Sequence, residues 1–184
     1  GGGRLLRAAS QLFDRVIGVD VHTQTERVGE LLRERGSTNF ELFTTDGRRL
    51  PIESDTVDLA YSFVVFVHLS GPDVFEAYFK EIHRVLRRGG IASLYYGRPY
   101  FHRTRSATNA VTRAVYRAAE PLAEFLLLDI VGTGYRTLDN EPNAVTLTVT
   151  RRRARTLARQ CGFVVEHQQS HPRWTQGFLV LRKP

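Results

Sequence analysis

Short apolar runs that alternate with helix-like segments constrain this chain more than any single motif does. Val16-Ile17-Gly18-Val19 runs into Asp20, Phe40-Glu41-Leu42-Phe43 ends ahead of Thr45-Asp46-Gly47, the apolar stretch 57–67 suits a buried strand and its exit, and Ile91 to Tyr96 follows Gly89-Gly90. Between these runs the period changes. Leu5, Leu6, Ala9, Leu12 and Phe13 predict a helix over 4–13. Thr23-Gln24-Thr25-Glu26 has the form of a capping box opening a helix that Gly36 closes. Pro72 and Asp73 suit the first turn of a helix whose apolar positions Val74, Phe75, Tyr78, Phe79, Ile82 and Leu86 continue until Gly89-Gly90. Strands joined by helices pair in parallel, and a parallel sheet needs cover on both faces. The predicted class is therefore α/β, a doubly wound and mostly parallel sheet with helices on both sides.

The rhythm breaks over residues 98–143, where Pro121 interrupts a helix opening near Ser106 and the segment 132–143 is rich in turn residues. This stretch reads as an insertion or lid. Regularity returns with a helix over 151–160 stopped by Gly162, a strand over 163–167 and a final strand over 178–181. A length of 184 residues suits one domain spanning 1–184. The net charge of +7 rests on arginine, because Lys80 and Lys183 are the only lysines. Those arginines are dispersed, whereas nucleic-acid binders concentrate charge on one face, so nucleic acid is not the expected partner. A single cysteine, Cys161, excludes a disulfide framework and a multi-cysteine zinc site within this sequence. No metal is expected. The longest apolar stretches fall far short of the ~20 residues needed to cross a bilayer, and the expected location is cytoplasmic.

In an open α/β sheet, ligands bind outside the carboxyl ends of the strands. Asp20, Asp46 and Ser62 fall at or near three such ends, and Gly1-Gly2-Gly3 precedes the first helix. Glycines between a strand and a helix let the backbone approach a ligand closely. A plain turn uses the same residues. A carboxylate ending the second strand of a nucleoside-binding sheet accepts hydrogen bonds from ribose hydroxyls, and Asp20 stands at that point, although a solvated carboxylate is the simpler alternative. Asp46 could accept from the amino group of adenine while the Gly47 N–H bonds a ring nitrogen. An ordinary Asp-Gly turn is the other reading.

Taken in order, these residues resemble the class I S-adenosylmethionine-dependent methyltransferases, and more closely the small-molecule, type 11-like branch. Gly1-Gly2-Gly3-Arg4 is similar to the end of the first motif of that family, Val16 to Asp20 to the second, and Thr45-Asp46-Gly47 with Leu50-Pro51 to the third. Asp55 to Ser62 followed by His68-Leu69 resembles the fourth, and Leu86-Arg87-Arg88-Gly89-Gly90 resembles the turn into the fifth strand. The segment Ala158 to Phe163 and the closing Leu181 to Pro184 resemble the last helix and strands, so the likeness spans about 1–97 and 146–184. It implies a Rossmann-like fold with an antiparallel last strand and S-adenosylmethionine as cofactor. It also implies roles. Gly1, Gly2 and Gly3 border the methionine part, Asp20 holds the ribose, Val21 packs on adenine, Asp46 and Gly47 read the adenine edge, and Ser62 and Phe63 border the amino-acid end. Asp58 is expected to order the start of the fourth strand. The family's first strand, with the acidic residue before the glycines, has no counterpart here, and the expectation is a chain truncated within a longer protein.

Methyl transfer is an in-line displacement for which positioning and desolvation supply much of the acceleration. A small-molecule acceptor reacting through oxygen, nitrogen or carbon is expected. Where a general base is needed, His68 is the candidate, with a structural histidine as the alternative. Tyr95, Tyr96, Tyr100, Phe101 and His102 could form an aromatic wall for an acceptor, although core packing accounts equally for the strand residues. Arg98, Arg103 and Arg105 are read as solvated, with capture of an acceptor's anionic group as the alternative. An NAD-dependent dehydrogenase fits less well, because Leu6 stands where the third glycine of its fingerprint belongs. A non-catalytic methyltransferase-like binding protein and an RNA-binding module remain as alternatives.

Overall fold

The computed structural model describes residues 2–98, 134–139, 145–170 and 176–184, together with Ala114, Ala118, Ala119, Leu122, Phe125 and Leu126. The chain divides into two compact units, Gly1–Glu53 and Ser54–Pro184.

The first unit holds α1 (Arg4–Ser10), β1 (Val16–Asp20), α2 (Thr25–Glu34) and β2 (Phe40–Thr44). The two strands pair in parallel, with Val16 opposite Phe40 and Asp20 opposite Thr44, so their carboxyl ends lie side by side. Gly18 lets α1 sit close to β1. A Cβ at that position would stand 2.8 Å from a methyl of Leu42 and 3.1 Å from one of Leu6, and a strand glycine is the usual device where another element approaches this closely. Gly3 is fixed on two counts, with φ of 76° and a Cβ position 3.0 Å from Val28, which is buried together with Leu32 on α2.

Two helix boundaries differ from those expected. α1 stops at Ser10 instead of continuing to Phe13, because the Asn39 side-chain amide donates to the carbonyl oxygens of Ser10 (3.0 Å), Phe13 (2.7 Å) and Asp14 (3.3 Å). Those carbonyls are thereby taken out of a helical ladder. α2 opens at Thr25 with Gln24 as its N-cap, and Thr23 makes no capping box. The Gln24 N–H donates instead to His22 Nδ1 at 3.2 Å, so His22 forms the turn that Thr23 was expected to make.

The second unit runs β3 (Val57–Ser62), a 3₁₀ turn (Val65–His68), α3 (Pro72–Val85), β4 (Leu86–Gly97), β5 (Tyr135–Asp139), β6 (Val145–Val149), α4 (Arg151–Gln160), β7 (Val164–Ser170) and β8 (Gln176–Arg182). Its main sheet has the order β3-β4-β8-β7, while β5 and β6 form a separate antiparallel pair. β3 lies parallel to β4, and β8 is antiparallel to both β4 and β7. The predicted antiparallel last strand is present, in a sheet that is mixed. One face of it is sealed. Ala92, Leu94, Tyr96, Leu179 and Leu181 are almost completely buried, as are Phe75, Phe79, Ile82 and Val85 of α3 and Ala154, Leu157 and Ala158 of α4. Each large apolar side chain so buried contributes about 1.5–3 kcal/mol relative to exposure.

α3 ends at Val85, not at Gly89-Gly90, because Leu86 already has extended backbone. The Gly89 N–H donates to Lys183 O at 2.8 Å and the Lys183 N–H to Gly90 O at 3.0 Å, so the turn expected to end the helix belongs to the sheet. Within the stretch expected to be rich in turns, Tyr135–Asp139 is a strand with β6 as its partner. α4 starts as expected, with Thr150 Oγ1 accepting from the Arg153 N–H at 3.1 Å.

Candidate functional site

The carboxyl edge of the first unit is built from two loops held together by backbone. Thr45 N–H donates to Asp20 O at 2.9 Å, which continues the pairing of β1 and β2 into the loops after them. Asp20 Oδ1 accepts from its own neighbours, Val21 N–H at 2.7 Å and His22 N–H at 3.4 Å, while Oδ2 lies 3.5 Å from His22 Nε2. Because His22 Nδ1 is occupied as an acceptor from Gln24, the neutral ring carries its proton on Nε2 and turns it toward Asp20. His22 is a member of this edge that the sequence reading missed, although a histidine two residues after a strand-ending carboxylate is a readable sign.

Val21 is 61% exposed, an apolar side chain set at the strand end. Across from it stands Gly47, where a Cβ would lie 3.5 Å from Val21 Cγ1. Gly47 has φ of 81°, the left-handed conformation that favours glycine. Asp46 Oδ1 accepts from Arg48 N–H (2.8 Å) and Arg49 N–H (2.9 Å). Those amides, Arg49 first and Arg48 second, hold its carboxyl below the usual carboxylate range. The Gly47 N–H donates to Thr45 Oγ1 at 3.2 Å. The donor expected to meet an adenine ring nitrogen therefore has an internal acceptor, and the Asp-Gly turn is a self-contained hydrogen-bonded unit. Gly2 is exposed, and Gly1 lies outside the described residues.

The carboxyl edge of the second unit begins at Ser62, the last residue of β3, half-buried opposite Leu94. Phe63 follows, 39% exposed, with its ring edge-on to Tyr95 at 5.0 Å between centroids. Val64 then takes φ of 70°, an unfavourable conformation for a β-branched residue. It turns the chain sharply into the 3₁₀ turn that ends at His68. His68 is exposed. Asp58 pairs with Arg87 at the opposite end of β3, in keeping with an ordering role there.

The expected aromatic wall is divided by the sheet. Tyr95 lies on the open face, but Tyr96 is fully buried on the other, its hydroxyl accepting from Gln168 Nε2 at 3.0 Å. Alternation along a strand makes that division unavoidable. Tyr100, Phe101, His102, Arg103 and Arg105 lie outside the described residues, as does most of the segment read as a lid. Arg98 is buried, not solvated. Among the described residues no group of three or more His, Cys, Asp or Glu could hold a metal ion, and no helix is long and apolar enough to cross a membrane.

The family model described as a methyltransferase domain matches residues 1–94. No curated protein sequence matches the chain. Among solved structures, a putative S-adenosylmethionine-dependent methyltransferase from Listeria monocytogenes is similar with a TM-score of 0.69 and 13% identity, covering 100% of this chain and 87% of that one. An S-adenosylmethionine-dependent methyltransferase from Methanosarcina mazei gives a TM-score of 0.67 at 19% identity over 100% of this chain and 88% of that one. The 1,6-didemethyltoxoflavin-N1-methyltransferase of Burkholderia thailandensis, solved with 1,6-didemethyltoxoflavin and S-adenosylhomocysteine, gives 0.67 at 16% over 100% and 67%. At these identities the likeness is one of fold.

Proposed function

Because the chain belongs to the methyltransferase domain family, the class I enzymes that use S-adenosylmethionine, we propose that it transfers a methyl group from that cofactor to a small-molecule acceptor. The observation that carries the reading is the paired edge of the first unit, where Asp20 and Thr44 end parallel strands together and Val21 faces Gly47. We take residues 1–184 as a single methyltransferase domain and its location as cytoplasmic.

The residues present fit the cofactor in kind. A ribose asks for a carboxylate acceptor at the end of the second family strand, and Asp20 supplies one that backbone amides and His22 already orient. Adenine asks for an apolar surface, and Val21 offers a largely exposed one. Asp46 and Gly47 are assigned to the adenine edge, a role in which Gly47 exchanges its bond to Thr45 for one to the ligand. Gly1, Gly2 and Gly3 are assigned to the methionine part, and Ser62 and Phe63 to the amino-acid end.

When bound, S-adenosylmethionine supplies an electrophilic methyl group, transferred by in-line displacement. That chemistry asks the protein for alignment and exclusion of water more than for a nucleophile of its own. Where the acceptor atom carries a proton, His68, exposed and close after β3, is the residue we assign to take it. The acceptor of the Burkholderia enzyme, 1,6-didemethyltoxoflavin, is a small molecule, which supports that class of acceptor here. The test is transfer of label from methyl-tritiated S-adenosylmethionine in the presence of a cell extract fractionated by size. Label in the low-mass fraction is the expected result, and label confined to RNA, to protein or to no fraction contradicts it.

A further inference from the structure

The open face of the β3-β4-β8-β7 sheet changes character along its strands. Near the amino ends of β3 and β4, register sets Leu59 beside Ile91, Ile91 beside Arg182 and Arg182 beside Val164. Arg182 pairs with Glu166 at 2.5 Å, so the rest of that end is aliphatic. Toward the carboxyl ends the side chains become rings. Tyr61 comes first, 53% exposed, and beyond it Phe63, Tyr95 and Phe178 form a continuous row. Phe63 meets Tyr95 edge-on at 5.0 Å and 82°, and Tyr95 lies 4.7 Å from Phe178 at 37°. His167 continues the row onto β7, 6.3 Å from Phe178.

Aliphatic side chains would cover a sheet face equally well, and at the amino end they do. Rings gathered only at the carboxyl edge, where α/β sheets bind ligands, present edges and faces suited to offset or edge-to-face contact with another ring. The described fringe of the row is polar: the hydroxyls of Tyr61 and Tyr95, the imidazole of His167, and Gln169, which lies opposite Phe178 in the register. Such a fringe can orient a substituent on a flat ligand.

We infer that Phe63, Tyr95 and Phe178 form the binding platform for a planar aromatic acceptor. The platform rests on the methyltransferase reading for what happens to the ligand, not for its binding. Phe63 connects the two, since the row starts at the residue assigned to the amino-acid end of the cofactor.

The test uses the full chain with 2-naphthol as the flat probe and cyclohexanol as the aliphatic control, followed by saturation-transfer NMR titration. Expected is at least tenfold tighter binding of 2-naphthol, reduced fivefold or more by Tyr95→Leu and by Phe178→Leu, which keep apolar volume but remove the ring. Leu59→Ser, at the aliphatic end of the same face, leaves 2-naphthol affinity unchanged. Equal binding of the two alcohols by the parent chain overturns the inference and requires no variant to fold. So does undiminished 2-naphthol binding in folded Tyr95→Leu or Phe178→Leu. Calorimetry with S-adenosylmethionine separates the two readings: binding of the cofactor without the 2-naphthol preference removes the platform alone, and the preference without cofactor binding leaves the platform and removes the methyltransferase.

Discussion

Gly177, the second residue of β8, stands opposite Tyr96, and the fit there is tight enough for one methyl group to be felt. A Cβ at Gly177 would lie 2.3 Å from Tyr96 Cζ, 2.6 Å from its hydroxyl oxygen and 2.7 Å from Cε1. The ring cannot easily move away, because Tyr96 is fully buried and its hydroxyl is held by Gln168 Nε2, which also donates to Arg151 O at 2.9 Å. Gly177→Ala therefore overpacks the sheet–helix interface, at about 1–3 kcal/mol. Displacing the ring also breaks the bond from Gln168, worth about 1 kcal/mol more. Together the expected loss is roughly 2–4 kcal/mol. Urea unfolding followed by circular dichroism measures it as a fall in midpoint at unchanged slope. Tyr96→Leu in the same chain removes the obstructing ring, so the double variant loses less than the two single losses added. A Gly177→Ala chain within about 0.5 kcal/mol of the parent, or strict additivity in the double variant, refutes the packing account.

Three further outcomes follow from local geometry. Val64→Gly relieves a left-handed valine and is expected to raise stability by about 1 kcal/mol, read in the same urea assay; a loss of stability contradicts the strain. Asn39→Ala leaves the carbonyl oxygens of Ser10, Phe13 and Asp14 without their shared donor and is expected to cost about 0.5–1.5 kcal/mol, measured as increased amide exchange at the end of α1. Burial, reinforced by the charge of Glu76 and opposed by that of Arg153, pushes the Tyr135 phenol up to about 12. The raised folded value stabilises the protein fully below about pH 10, the unfolded value, and that contribution disappears as pH rises toward 12. Ultraviolet titration should show one tyrosine ionising about two units later than exposed ones, lost in Tyr135→Phe.

The sheet edges were legible because strands that end in Asp20 and before Asp46 carry a period and a stop in their own residues. Asp20 does end β1, Asp46 follows the end of β2 by two residues, and Ser62 does close β3. What sequence could not show depends on partners distant in the chain. Asn39 shortens α1 across more than twenty residues, Lys183 draws Gly89-Gly90 into the sheet, and Tyr135, from within the segment read as a lid, meets Glu76 at 3.0 Å. Arg153 bonds the same Glu76 oxygen at 2.7 Å, so three separate elements share one carboxylate. The expected aromatic wall is divided for a different reason. Consecutive tyrosines at 95 and 96 were grouped by proximity, whereas strand alternation sends one to the open face and the other into the core.

Calorimetric titration of the chain with S-adenosylmethionine, beside Asp20→Ala, tests the central claim most directly. The account predicts a single site, weakened in Asp20→Ala by about 1.5–3 kcal/mol, roughly ten- to more than a hundredfold, as charge-assisted hydrogen bonds to the ribose are lost. Binding that is unchanged by Asp20→Ala, or absent from the parent chain, contradicts it.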